Sequence, residues 1–114
     1  MDSCVFCRIA AHQAAAHLVY EDEEAVAFHD LHPQAPVHLL VIPRRHLPSL
    51  AAAGEADAGL LGHLLVVAAR VAQAAGLAEK GYRLVTNSGP DAGQSVFHVH
   101  LHVLGGRRLR WPPG

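Results

Sequence analysis

From Phe97 to Val103 the chain alternates strictly. Phe97, Val99, Leu101 and Val103 are apolar, and His98, His100 and His102 stand between them. A period of two belongs to a strand and not to a helix. The pattern predicts a strand over residues 96–104, stopped by Gly105-Gly106, with the three imidazoles on one face and the four apolar side chains on the other. Consecutive histidines on such a face lie roughly 6.5–7 Å apart. Two neighbours could share a metal, but His98 and His102 are too distant for a single ion. A row of imidazoles suits an extended, negatively charged substrate better.

The same reading applied to the rest of the chain gives an α+β pattern. Residues 4–12 have helical spacing, with Phe6, Ile9 and Ala10 on a common face. Leu18-Val19-Tyr20 and Ala25-Val26-Ala27-Phe28 read as short strands around the acidic turn Glu21–Glu24. Asp30 to Pro36 is a loop, His38 to Ile42 a buried strand stopped by Pro43, and residues 82–86 another strand. A long helix is expected from about Ala56 to Ala75, ended by Gly76. Its apolar surface is too broad for one buried face. Leu60, Leu64, Val67 and Val71 make one stripe, and Leu61, Leu65, Ala68 and Ala72 a second. One stripe can cover the sheet. The other, for which the first-named is the choice, is open to a two-fold mate. No repeat or linker interrupts the pattern, so the expectation is a mainly antiparallel sheet with helices packed on it.

Composition narrows the function classes. The chain has 114 residues, which points to one domain over 1–114, and about half of them are apolar. A formal charge of −1 argues against nucleic acid as the partner. No apolar run is long enough to span a bilayer and no signal-peptide pattern opens the chain, so a cytoplasmic protein without a membrane partner is expected. Of ten histidines, His12, His17 and His63 receive no role.

Three further features carry chemistry. Cys4 and Cys7 are the only cysteines and form a C-x-x-C. They can be core thiols, a redox pair or half of a zinc site, and the wealth of histidine favours zinc. The loop from Asn87 to Ser95 delivers the chain into the histidine row. Its glycines, Gly93 among them, can bring backbone N–H groups close to a ligand, and Asn87, Gln94 and Ser95 add uncharged donors. That is a phosphate cradle, or an ordinary hairpin loop. Asp30 follows a strand, where a carboxylate can accept from both ribose hydroxyls or simply cap a turn.

His98-Val99-His100-Leu101-His102-Val103 resembles the signature of the histidine triad (HIT) superfamily. Ala27 to Pro36, Val41-Ile42-Pro43, Gly81 to Val85, Gly93 to Val96 and the closing Trp111-Pro112-Pro113-Gly114 resemble its Hint branch, the histidine triad nucleotide-binding proteins. The similarity covers nearly the whole chain. It implies a HIT-like fold of five strands and two helices, paired into a ten-stranded sheet in a homodimer. It implies hydrolysis of purine nucleoside 5′-phosphoramidates, and of aminoacyl adenylates, through a nucleotidyl-histidine. His100 would be the nucleophile and His102 a donor to phosphate oxygen, with Ser95 and Gln94 beside the phosphate and His38 supporting the triad. Asp30 and Leu31 would hold the ribose. Phe6, Ile9, Phe28 and Leu40 would line the purine pocket. Trp111 would cross to the leaving-group side of the mate's site.

The start departs from the animal Hint pattern, lacking its longer polar extension. In bacterial relatives with C-x-x-C the resemblance implies a structural zinc, here on Cys4, Cys7, His46 and His98, and no catalytic metal. Two alternatives are a dinucleoside polyphosphate hydrolase of the same superfamily and a non-catalytic nucleotide-binding protein. A metal-centred hydrolase is a third.

Overall fold

The computed structural model describes residues 3–114. Its elements run α1 (Val5–Ala10), β1 (Leu18–Glu21), β2 (Ala25–His29), β3 (Val37–Pro43), α2 (Ala58–Ala74), β4 (Tyr82–Val85) and β5 (Leu101–Gly105), with two short 3-10 turns leading into α2. The five strands make one sheet in the order β1-β2-β3-β5-β4, every neighbouring pair antiparallel.

The period-two alternation sorts the sheet residues into two cores. Ala25, Ala27, Leu39, Val41, Leu101 and Val103 point to one face and pack beneath α2. Val26, Phe28, Leu40 and Ile42 point to the other and meet Phe6, Ile9 and Ala10 of α1. His102 is opposite Leu40 and His38 is opposite Leu104, so both imidazoles lie on the α1 face. The apolar run over residues 39–43 of β3 is thereby explained, since a central strand covered on both faces has no solvent side.

Two expectations are corrected. The last strand begins at Leu101 and not at residue 96, because its ladder with β3 ends at the pair Val41 and Leu101. Val99 still packs under α2, but Phe97 is 59% exposed. The helix does not divide into a core stripe and a free stripe as expected. Leu64, Val67, Ala68, Val71 and Ala72 are all buried against the chain's own sheet. The two stripes lie one residue apart, about 100° around the axis, and the helix seats on the line between them. What it leaves exposed is Leu65 and Val66. Gly76, with φ 81°, follows the helix as the expected left-handed stop. No helix among the described residues is long and apolar enough to cross a membrane.

Candidate functional site

Each triad histidine has one ring nitrogen committed, and the commitments differ. His98 is fully buried, and its Nε2 lies 2.7 Å from the Pro43 carbonyl, to which it donates. Its Nδ1 is thus a lone pair, and it points at the sulfurs of Cys4 (3.4 Å) and Cys7 (3.5 Å). His100 Nδ1 lies 2.7 Å from the His98 carbonyl and must donate there, which leaves Nε2 as the lone pair. His102 Nδ1 is 2.8 Å from His38 Nε2. The Gln34 backbone N–H donates to His38 Nδ1 at 3.0 Å, so the proton of neutral His38 is on Nε2 and the His102 Nδ1 accepts it. His102 then carries its own proton on Nε2. One row of three like residues thus becomes a metal-type ligand, a free base and a proton donor.

Burial holds the donor arrangement neutral. It pushes the His38 and His98 imidazoles below the usual histidine value. His102 falls to about 4, through burial first and then the neighbouring His100 and His38. The ring centroids of His100 and His102 are 5.0 Å apart, closer than fully extended strand geometry gives.

These rings face a cleft of about 300 Å³. Phe6, Ile9, Phe28 and Leu40 form its apolar wall, and Phe6 sets its ring edge-on to both Phe28 (5.6 Å) and His100 (5.1 Å). Asp30, Leu31, Ser95, His100 and His102 complete the sequence-assigned lining. Leu31 is 85% exposed at the rim. His29, His32 and Val96 also line it and had no assigned role. Asp30 uses Oδ1 to accept the His32 N–H at 2.8 Å and has Oδ2 3.3 Å from His38 Nε2.

The loop residues divide. Ser95 lines the cleft, but Asn87, Gly93 and Gln94 do not. The Gln94 carboxamide donates to the carbonyls of Pro48 (2.8 Å) and Val96 (3.1 Å) and accepts the Gly89 N–H (2.9 Å). Both its donors are consumed, so the direct phosphate contact expected of it is replaced by shaping the loop that presents Ser95. Trp111 lies outside this chain's cleft, 80% exposed, with the Arg83 guanidinium 5.9 Å over its ring. Thr86, which had no assigned role, donates its hydroxyl to the His100 carbonyl at 2.9 Å and so fixes the backbone of His100.

Beside the cleft, Cys4, Cys7, His46 and His98 converge, their ligand atoms all within 4.8 Å of one another. His46 Nδ1 is 3.2 Å from Cys7 Sγ. Tetrahedral zinc, with sulfur at about 2.3 Å and imidazole nitrogen at about 2.0–2.1 Å, separates S and N ligands by about 3.6 Å. The observed S···N distances of 3.2–3.5 Å fit that spacing. The donor set fits as well: two free thiols and two imidazoles, one of them with its far nitrogen already tied to a carbonyl. Burial and the neighbouring Cys4 raise the Cys7 thiol. A metal held here would join α1 to the segment that carries His100.

Comparison with known proteins agrees with this geometry. The HIT domain model matches residues 11–109. An uncharacterised HIT-like protein of Synechocystis is 50% identical over 113 residues, 99% of this chain and 98% of its own length. A HIT family hydrolase from Legionella pneumophila superposes with a TM-score of 0.96 at 48% identity, covering 98% of this chain and 100% of that one. A zinc-bound histidine triad family protein from Mycobacterium smegmatis gives 0.83 at 38% identity, covering 93% and 76%. The chain is a member of the HIT domain family.

Proposed function

We propose that the protein is a hydrolase of the Hint type, which cleaves purine nucleoside 5′-phosphoramidates and aminoacyl adenylates to a nucleoside monophosphate and an amine or amino acid. The observation that carries this reading is His100. Its Nδ1–H is spent on the His98 carbonyl, and its free Nε2 belongs to a ring that lines the cleft. A pure binding protein has no need of an unpaired nucleophile there.

The purine enters between Phe6, Ile9, Phe28 and Leu40, and Asp30 accepts from the ribose hydroxyls. Nε2 of His100 attacks the α-phosphorus and the phosphorus–nitrogen bond breaks. His102 Nε2–H donates to a non-bridging oxygen as charge develops. The departing amine takes its proton through Ser95 or His102, the two donors on the cleft wall beside His100. Water then cleaves the nucleotidyl-histidine. No catalytic metal takes part.

The same reading includes a structural zinc on Cys4, Cys7, His46 and His98, supported by their convergence and by the zinc-bound M. smegmatis relative. It includes a homodimer. β4 ends the sheet with an open edge, and pairing two β4 strands would make ten strands. Leu65 and Val66 of α2 are then available to the mate. The site holds a nucleotide, without nucleic acid or membrane, in a cytoplasmic enzyme.

The test is a turnover screen of adenosine and guanosine phosphoramidates against dinucleoside polyphosphates and adenylylated sugars, with chelator present and absent. Chelator-resistant release of monophosphate from phosphoramidates is expected. Preference for dinucleoside polyphosphates would move the chain to that other branch, and binding without turnover would refute the enzymatic reading.

A further inference from the structure

Arg107 has no place in the cleft, yet it bonds to the loop that controls His38. Its Nη2 donates to the Gln34 carbonyl at 2.9 Å, and its Nη1 to the Arg108 carbonyl at 3.1 Å. The preceding residue presses on the same loop. A Cβ at Gly106, which has φ 89°, would lie 2.9 Å from Pro36 Cβ. Residues 106 and 107 therefore meet the loop between β2 and β3 at two points, Pro36 and Gln34. This stretch has no strand partner of its own.

Gln34 faces the other way with its amide. The peptide whose carbonyl Arg107 holds belongs to the residue whose N–H donates to His38 Nδ1 at 3.0 Å. His38 is buried, and its single proton is thereby on Nε2, with His102 Nδ1 at 2.8 Å and Asp30 Oδ2 at 3.3 Å as acceptors. Asp30 Oδ2 also favours the proton on Nε2, so withdrawing the Gln34 N–H weakens that preference and lets the other tautomer be partly populated. His38 would then carry Nδ1–H and offer a lone pair at Nε2. His102 would turn its proton to Nδ1 to meet it, and its Nε2 would become a lone pair. The cleft would lose a donor and gain an acceptor where phosphate oxygen must sit.

We propose that Arg107, with Gly106 seated on Pro36, is a positioning residue: it clamps the loop so that Gln34 locks the tautomers of His38 and, through it, His102. The catalytic consequence rests on the hydrolytic reading above, but the tautomer lock does not.

The experiment is 15N NMR of histidine-labelled, zinc-loaded protein, wild type and Arg107→Met, with steady-state kinetics on an adenosine phosphoramidate. Wild type shows Nε2–H tautomers at both His38 and His102. Arg107→Met shows a mixture at both, with kcat down about 10- to 100-fold, as for a compromised acid–base group, and KM nearly unchanged. Arg107→Lys, which keeps one donor for the Gln34 carbonyl, restores most of the wild-type spectrum. Gly106→Ala, which displaces Pro36 while Arg107 is intact, reproduces the mixture. Wild-type tautomers in Arg107→Met overturn the proposal, even where its thermal stability falls. Mixed tautomers in that variant, with no phosphoramidate turnover by wild type, support the clamp and overturn the hydrolytic reading instead.

Discussion

Cys7→Ser tests the proposed zinc site with one atom changed. Helix α1 has only six residues, and its docking rests on Phe6, Ile9 and Ala10. Burying Phe6 and Ile9 returns about 3–6 kcal/mol at 1.5–3 kcal/mol each. Fixing six backbone residues costs about 6–12 kcal/mol. A metal present at a thousand times its Kd adds about 4 kcal/mol, which closes the difference. Without it the docking of α1 becomes marginal and α1 should open more often, which lowers thermal stability more than turnover. In a domain near 100 residues each kcal/mol moves Tm by about 4 °C or more, so chelation should lower the wild-type Tm by about 15 °C. Cys7→Ser should start near the chelated value and respond little to chelator. Thermal melts with and without chelator read the shift, elemental analysis reads the zinc, and hydrogen exchange on residues 5–10 locates the loosening. A wild-type Tm indifferent to chelator, or an undiminished chelator response in Cys7→Ser, would refute the account of the site.

Three further outcomes follow from other parts of the molecule. His102 has a folded-state pKa of about 4 against 6.5, so below pH 6.5 the unfolded chain binds more protons; urea stability should rise with pH from about 4 to 6.5 and then level off, and a stability that falls across that window would contradict the burial of the neutral relay. Leu64→Asp places a charge in the core, where Leu64 is 1% exposed, and should unfold the chain, whereas Leu65→Asp should yield folded monomers by sedimentation; a wild-type monomer at micromolar concentration would rule out the dimer. Removing residues 111–114 should leave monophosphate affinity within a few-fold and reorder kcat/KM between bulky aromatic and small amines; an unchanged order would deny Trp111 a part in the leaving-group side.

Periodicity made the sheet legible because sheet position and burial repeat every two residues. The alternation in β2, β3 and β5 sorts the side chains onto the correct faces. It failed at Phe97, where the ladder has not yet begun and the side chain is exposed; His98 keeps to the α1 face with His100, and there meets two sulfurs. The pairing of Cys7 with His46 and His98 spans 39 and 91 residues, so no local spacing encodes it; the sheet topology brings them together, and only the family resemblance named them in advance. Gln94 was noticed for its donors, but which partners consume them depends on Pro48, 46 residues away. Thr86 and Gln34 act through hydrogen bonds to or from the backbone, and residue type alone gives no sign of that. The helix face was misjudged for a simpler reason. Two apolar stripes one residue apart look the same in sequence whether the helix sits on one of them or between them.

The central claim is that Nε2 of His100 is the nucleophile. Rapid quench of wild-type protein with an adenosine phosphoramidate, followed by peptide mass spectrometry, tests it most directly. The account predicts a nucleotide adduct on the peptide containing residues 98–102, assigned by fragmentation to His100, and absent in His100→Ala, which retains nucleotide binding. An adduct on His102 or His98, or turnover by His100→Ala near the wild-type rate, would contradict it.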